Sequence, residues 1–146
     1  MYKILDETGT VYTQYIYTKE CDFEKMIVEN ADAILGFAGI YFDIKKLIGI
    51  PKKGAAIPDG YFLDLTFHNA PCLYLVEVEL HNHDVYGHIG EQILRFGISS
   101  ETDKYKMKKT FLSEIEKDGK KQQKLQEFFE KSRYSNMNEL MDKVIY

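Results

Sequence analysis

The chain has 146 residues, 45% of them hydrophobic and 14% aromatic, which is enough to bury a core and excludes a disordered tail. Acidic side chains outnumber basic ones by 23 to 19, and the formal charge of −4 argues against a general polyanion binder. No apolar run reaches the roughly 18–20 residues a bilayer requires, and the start Met1-Tyr2-Lys3-Ile4-Leu5-Asp6 lacks the zones of a signal peptide. The expectation is one cytoplasmic domain over residues 1–146 with no membrane contact. Cys21 and Cys72 read as reduced, small hydrophobes rather than a bridge.

Taken in chain order, Val11 to Tyr17 alternates with β-branched and aromatic residues and predicts a short strand after a Glu7-Thr8-Gly9 turn. A helix follows from about Asp22 to about Leu35, closed by Gly36, with Phe23, Met26, Ile27, Ala31 and Ile34 on one face. Tyr41 to Ile50 is apolar and lysine-containing and takes no assignment; Pro51-Lys52-Lys53-Gly54 is a loop. Ile57 to Phe67 and Cys72 to Leu80 predict a hairpin turning at Asn69-Ala70-Pro71, and the apolar Leu73 to Val76 points to a central strand covered on both faces. Val85 to about Ser99 predicts a helix with Val85, Ile89, Ile93 and Phe96 as its buried stripe. Three more helical patterns complete the chain: about Thr102 to Lys117, Gly119 to Lys131, and a final one striped by Met137, Leu140, Met141, Val144 and Ile145. The lysines between Lys104 and Arg133 read first as solvated helix surface and second as a local basic face.

The hairpin carries the chemistry. Strand side chains alternate, so Glu77 and Glu79 project to one side while Val76, Val78 and Leu80 project to the other. A turn near Asn69 sets Asp59 across from about Glu79, within a residue or two, and gathers three carboxylates. Like charges at the end of an apolar strand are costly unless a cation or proton sits between them. A divalent ion bound by hard oxygens is the expected partner.

Pro58-Asp59 followed by Glu77-Val78-Glu79 resembles the PD-(D/E)XK nuclease superfamily, the restriction-endonuclease-like fold. Phe23-Glu24-Lys25-Met26-Ile27 resembles the acidic first helix of that fold, and Gln92-Ile93-Leu94-Arg95-Phe96 its Q-x-x-x-Y helix, with phenylalanine in the tyrosine place. The resemblance spans roughly Asp22 to Gly97; residues 98–146 match nothing in it. It implies an α/β fold, a mixed central sheet flanked by helices, here with a helical C-terminal part. It implies a Mg²⁺- or Mn²⁺-dependent nuclease that hydrolyses phosphodiester bonds, with DNA the first expectation for the substrate and RNA left open. Asp59 and Glu77 would ligate the metal with the Val78 carbonyl, and Glu24 would add a further ligand. Glu79 would bind a second metal or accept the proton of water, and Gln92 would orient the site. One departure stands out: Glu79 replaces the family's lysine, which removes the only cation from the constellation. Dimers are frequent among relatives that cut specific sequences, so a homodimer stays open.

Two rivals follow. A nuclease-like domain without cleavage would bind nucleic acid or protein, as the missing lysine and the acidic charge favour. A Zn²⁺ hydrolase would use His81, His83 and His88 with Asp84 or Glu91, although ordinary surface histidines fit that spacing better. Glu24 is also well placed as a first-turn acid answering the helix dipole, and Gln92 as a partner for a backbone group. Tyr12, Tyr15 and Tyr17 read as strand packing before base stacking.

Overall fold

The computed structural model describes residues 3–45, 57–80, 86–87, 90–91, 93–95 and 104–146. It is a mixed α/β arrangement with a two-stranded and a three-stranded sheet, both antiparallel. Strand β1 (Lys3–Leu5) pairs with β2 (Val11–Thr13) around Asp6, whose carboxylate accepts the backbone N–H groups of Thr8 and Thr10. That strand pair lies N-terminal to the helix expected from Asp22. The helix itself divides into α1 (Glu20–Glu29) and α2 (Ala31–Leu35). Asn30 makes the break, its side chain donating to the Met26 carbonyl as side-chain amides do when they compete with the helix ladder. Gly36 ends α2 at φ 125°, where a side chain would be strained.

The second sheet has the order β3-β4-β5, from Ile40–Phe42, Gly60–Asp64 and Cys72–Val76. Strand β3 comes out of the segment left unassigned above. Its residues and those that follow alternate strictly: Ile40, Phe42 and Ile44 are buried, while Tyr41, Asp43 and Lys45 are not. The central strand is β4, buried along nearly its whole length, and not β5. Tyr74 and Leu75 of β5 remain exposed, because β5 is an edge among the described residues. The hairpin starts its turn with Asp64, which accepts the Thr66 N–H at 2.9 Å.

Three C-terminal helices close one face of this sheet: α3 (Lys104–Glu116), α4 (Gly119–Phe129) and α5 (Met137–Ile145). Phe111 stands edge-on to Phe42 at 4.9 Å and to Tyr61 at 5.0 Å, and Leu125, Phe128, Tyr134, Leu140 and Met141 complete the core. Residues 104–146 therefore supply about half of the core cluster. Their joints are explicit. Asp118 caps α4 by accepting from the N–H groups of Lys120 and Lys121, and Gln122 donates back to the Ile115 and Glu116 carbonyls that α3 leaves open. Asn136 caps α5 through the Glu139 N–H.

The C-terminal stripe is as expected, with Leu140 and Met141 buried and Met137, Val144 and Ile145 packed against the core. Ile93 departs from expectation, since it is 62% exposed rather than part of a buried stripe. Val85, Ile89 and Phe96 of that stripe lie outside the described residues. Cys21 and Cys72 are free, as expected, but exposed. No helix among the described residues is long and apolar enough to cross a membrane.

Phe111 touches two strands at once, so Phe111→Ala leaves a cavity at the centre of the helix–sheet contact. Chemical denaturation of this variant is expected to show a loss of about 3–5 kcal/mol. An equal truncation on the exposed β1, Ile4→Ala, is expected to cost about 0.5 kcal/mol or less.

Candidate functional site

Strand register decides where the acids fall. The ladder pairs Gly60 with Val76, so one step further Asp59 stands opposite Glu77, two residues from the Glu79 expected above. The paired span ends at Gly60 and Val76, so both acids are the first residues beyond it. The backbone ladder stops at Val76, and the Asp59 side chain takes over: its Oδ2 accepts the Val78 N–H at 2.8 Å. Val78 and Leu80 are buried although the β5 residue packed on the core is Leu73, so the inward-facing side changes past the last paired residue.

Glu77 occupies an uncomfortable place. Its Oε1 is buried without a protein hydrogen-bond partner. Burial above all pushes its carboxyl up to about 7, with the adjacent Asp59 charge next, then Asp59 as an acceptor for the protonated form, then the Glu79 charge. The same neighbourhood raises the Tyr61 hydroxyl, through burial and then the charge of Glu77. Glu79 acts on Glu77 as a charge and does not complete a cage. Among the described residues, no three His, Cys, Asp or Glu side chains are disposed to grip one metal ion together.

On the other side of Asp59 lies a second group of charges. Glu24 of α1, only 14% exposed, is ion-paired with Lys45, which follows β3. The helical wheel is respected, since Glu24 faces inward whereas Glu29 is exposed and pairs loosely with Lys25 at 3.7 Å. The Lys45 ammonium is held above the usual lysine range, first by its hydrogen bond to Glu24, against burial, with the charges of Glu24, Asp59 and Asp43 adding. Tyr41 joins this group. Its hydroxyl is buried without a protein partner and is pushed up to about 12, by burial first and then by Asp43, Asp59, Glu24 and Glu77.

Gly60 makes room for Tyr41. Residue 41 pairs with Phe62, and its ring leans diagonally across β4 towards Gly60, where a Cβ would overlap the hydroxyl. The glycine after Asp59 therefore has a definite steric reason. Lys45 and Tyr41 were not singled out by the sequence reasoning. The alternation of Ile40 to Lys45 was the signal that could have found them, because it puts Tyr41, Asp43 and Lys45 on one side. Gln92, His81, His83, Asp84 and His88 lie outside the described residues, and Glu91 is exposed and pairs with Arg95.

The donors available at Asp59 are hard oxygens, which suit Mg²⁺ or Mn²⁺. Magnesium keeps several waters and needs only one or two carboxylates, so a pair without a third protein ligand fits it. The orphaned Glu77 Oε1 is the oxygen whose burial a cation would compensate. No family model, no curated protein and no solved structure matches this chain.

The raised Glu77 carboxyl sets a sign for metal-free stability. Its proton is held more tightly in the fold (about 7) than in the unfolded chain (4.5), so its contribution is complete below pH 4.5 and is lost as pH rises through 7. Between pH 5 and 8 the wild type is expected to lose on the order of 2 kcal/mol from this group, less than the full shift because the carboxyl is partly solvated. Urea unfolding in the presence of a chelator checks this. Glu77→Gln should flatten the slope, and parallel curves for the two proteins would refute the assignment.

Proposed function

We propose that this chain is a metal-dependent nuclease with a PD-(D/E)XK-like core, hydrolysing phosphodiester bonds in DNA in preference to RNA. The observation that carries the reading is the Asp59–Glu77 pair. One acid accepts from the Val78 backbone, and its neighbour buries Oε1 with no hydrogen bond from a protein donor. Few structural needs account for such an arrangement, whereas a site for a hard cation does.

A bound Mg²⁺ or Mn²⁺ would neutralise phosphate charge and make water nucleophilic at neutral pH. In this reading Asp59 and Glu77 hold the ion. Asp59 has one oxygen committed to Val78 N–H, so ligation falls to the other, and the same hydrogen bond keeps the carboxylate from turning away. The Val78 carbonyl lies on the same peptide chain segment and adds a neutral oxygen. Glu79 accepts the proton that leaves the attacking water, as its position two residues after Glu77 suits. As the new P–O bond forms, the bond to the leaving oxygen breaks and that oxygen takes up a proton from solvent. Lys45 supplies the positive charge absent at position 79, arriving from the end of β3 rather than from β5, and it holds Glu24 while the fold is metal-free.

A second reading has its own support. The Lys45–Glu24 ion pair already neutralises one of the expected ligands, as a domain that binds nucleic acid or protein without cutting would do. Salt-sensitive DNA binding without metal-dependent cleavage would select it.

Single-turnover assays with single- and double-stranded DNA and RNA and millimolar Mg²⁺ or Mn²⁺ test the first reading. The wild type should cleave DNA, and Asp59→Ala should fall to background. Lys45→Met should lower the rate roughly 10- to 100-fold. The same ions should raise Tm near pH 7.5, by the equivalent of about 2.7 kcal/mol when the ion stands at 100 times its Kd. Cleavage that survives in Asp59→Ala would take these residues out of the mechanism.

A further inference from the structure

Two side-chain atoms among the described residues are buried without a hydrogen-bond partner in the protein, Glu77 Oε1 and the Tyr41 hydroxyl. The first belongs to the proposed metal ligands. The second does not, and nothing in the core accounts for it. A tyrosine hydroxyl can be placed in a buried spot at no loss if it reaches an acceptor, or replaced by a phenylalanine if it does not. Here the chain does neither. It also keeps Gly60 at the position where any side chain would push the Tyr41 ring aside. Two residues on two strands are thus committed to holding one hydroxyl beside Asp59.

Its chemical character is fixed by its surroundings. Burial first, and then the charges of Asp43, Asp59, Glu24 and Glu77, keep the proton on the hydroxyl, so it serves as a hydrogen-bond donor. Lys45 is engaged with Glu24, which leaves Tyr41 as a neutral donor in a neighbourhood of acceptors. Tyr41 and Asp43 also line a cleft of about 480 Å³ that continues to Lys121 and Lys124.

Building on the proposed metal site, we infer that Tyr41 is a positioning residue whose hydroxyl donates to an oxygen in the shell of the cation held by Asp59 and Glu77. The role is that of an outer partner. It fixes where one coordinating oxygen sits and discriminates against ions whose shell places no oxygen there. Removal of such a partner commonly weakens metal binding 10- to 100-fold.

Mn²⁺ titrations of the full chain, read by the EPR signal of the free ion at pH 7.5, test this without any cleavage assay. Three proteins are compared: wild type, Asp59→Ala and Tyr41→Phe, with Tm measured in chelator for each. The phenylalanine keeps the ring over Gly60 and removes one oxygen. The expected result is Mn²⁺ binding by wild type, none by Asp59→Ala, and a roughly tenfold weaker Kd for Tyr41→Phe with a metal-free Tm no lower than wild type. An unchanged Kd in Tyr41→Phe, with binding lost in Asp59→Ala, overturns the Tyr41 role alone. A lowered metal-free Tm in Tyr41→Phe also overturns it, since the hydroxyl would then be a structural support. Absence of Mn²⁺ binding in wild type overturns the metal site and this inference together.

Discussion

The hydrogen bond from Val78 N–H to Asp59 Oδ2 is the contact on which the proposed site depends. It stands where the β4–β5 ladder runs out of backbone pairs, and it extends the pairing by one side-chain rung. It ties the segment after β5 to the residue before β4, and it keeps the half-buried Glu77 next to Asp59. A site built on strand ends inherits the precision of the sheet.

The acids stand beside the core without belonging to it: Asp59 and Glu77 are half-buried, next to the buried Pro58 and Val78. Leu63, Tyr61 and Leu73 lie on the sheet face that the C-terminal helices seal through Phe111, Leu125, Phe128 and Leu140. Partial burial is the first cause of the raised Glu77 carboxyl. Phe111 of α3 packs on Tyr61, whose hydroxyl is raised by burial first and then by the Glu77 charge.

Much of this was legible in the residues, and the exceptions have physical causes. The hairpin, the three C-terminal helices and the α5 stripe follow from period and capping alone. The turn at Asn69 located Asp59 against Glu77–Glu79 to within two residues; the offset arises because the paired span stops at Asp64 opposite Cys72, which moves the turn centre back to residue 68. Strand β3 was missed because lysines among apolar residues blurred a run whose alternation is strict from Ile40 to Lys45. With it went Tyr41 and Lys45. The break at Asn30 was hidden by a stripe that continues through Ala31, since a side-chain amide bonding to its own helix leaves no mark on hydrophobic period. Leu73 to Val76 looked central because both faces are apolar, yet β5 is an edge among the described residues, and Tyr74 and Leu75 remain exposed.

Charge balance ties these parts together. Around Asp59 the described residues place Glu77, Glu79, Glu24 and Asp43 on the acidic side, and Lys45 as the cation that acts on Asp59 and Glu24. Glu79 adds a further negative charge beside Glu77, while Lys45 is engaged with Glu24. Glu77 holds its proton more tightly than a free carboxyl does, through burial first and then the charge of Asp59. At the proposed site a divalent ion would have to displace that proton, so metal affinity and proton affinity at Glu77 would oppose one another.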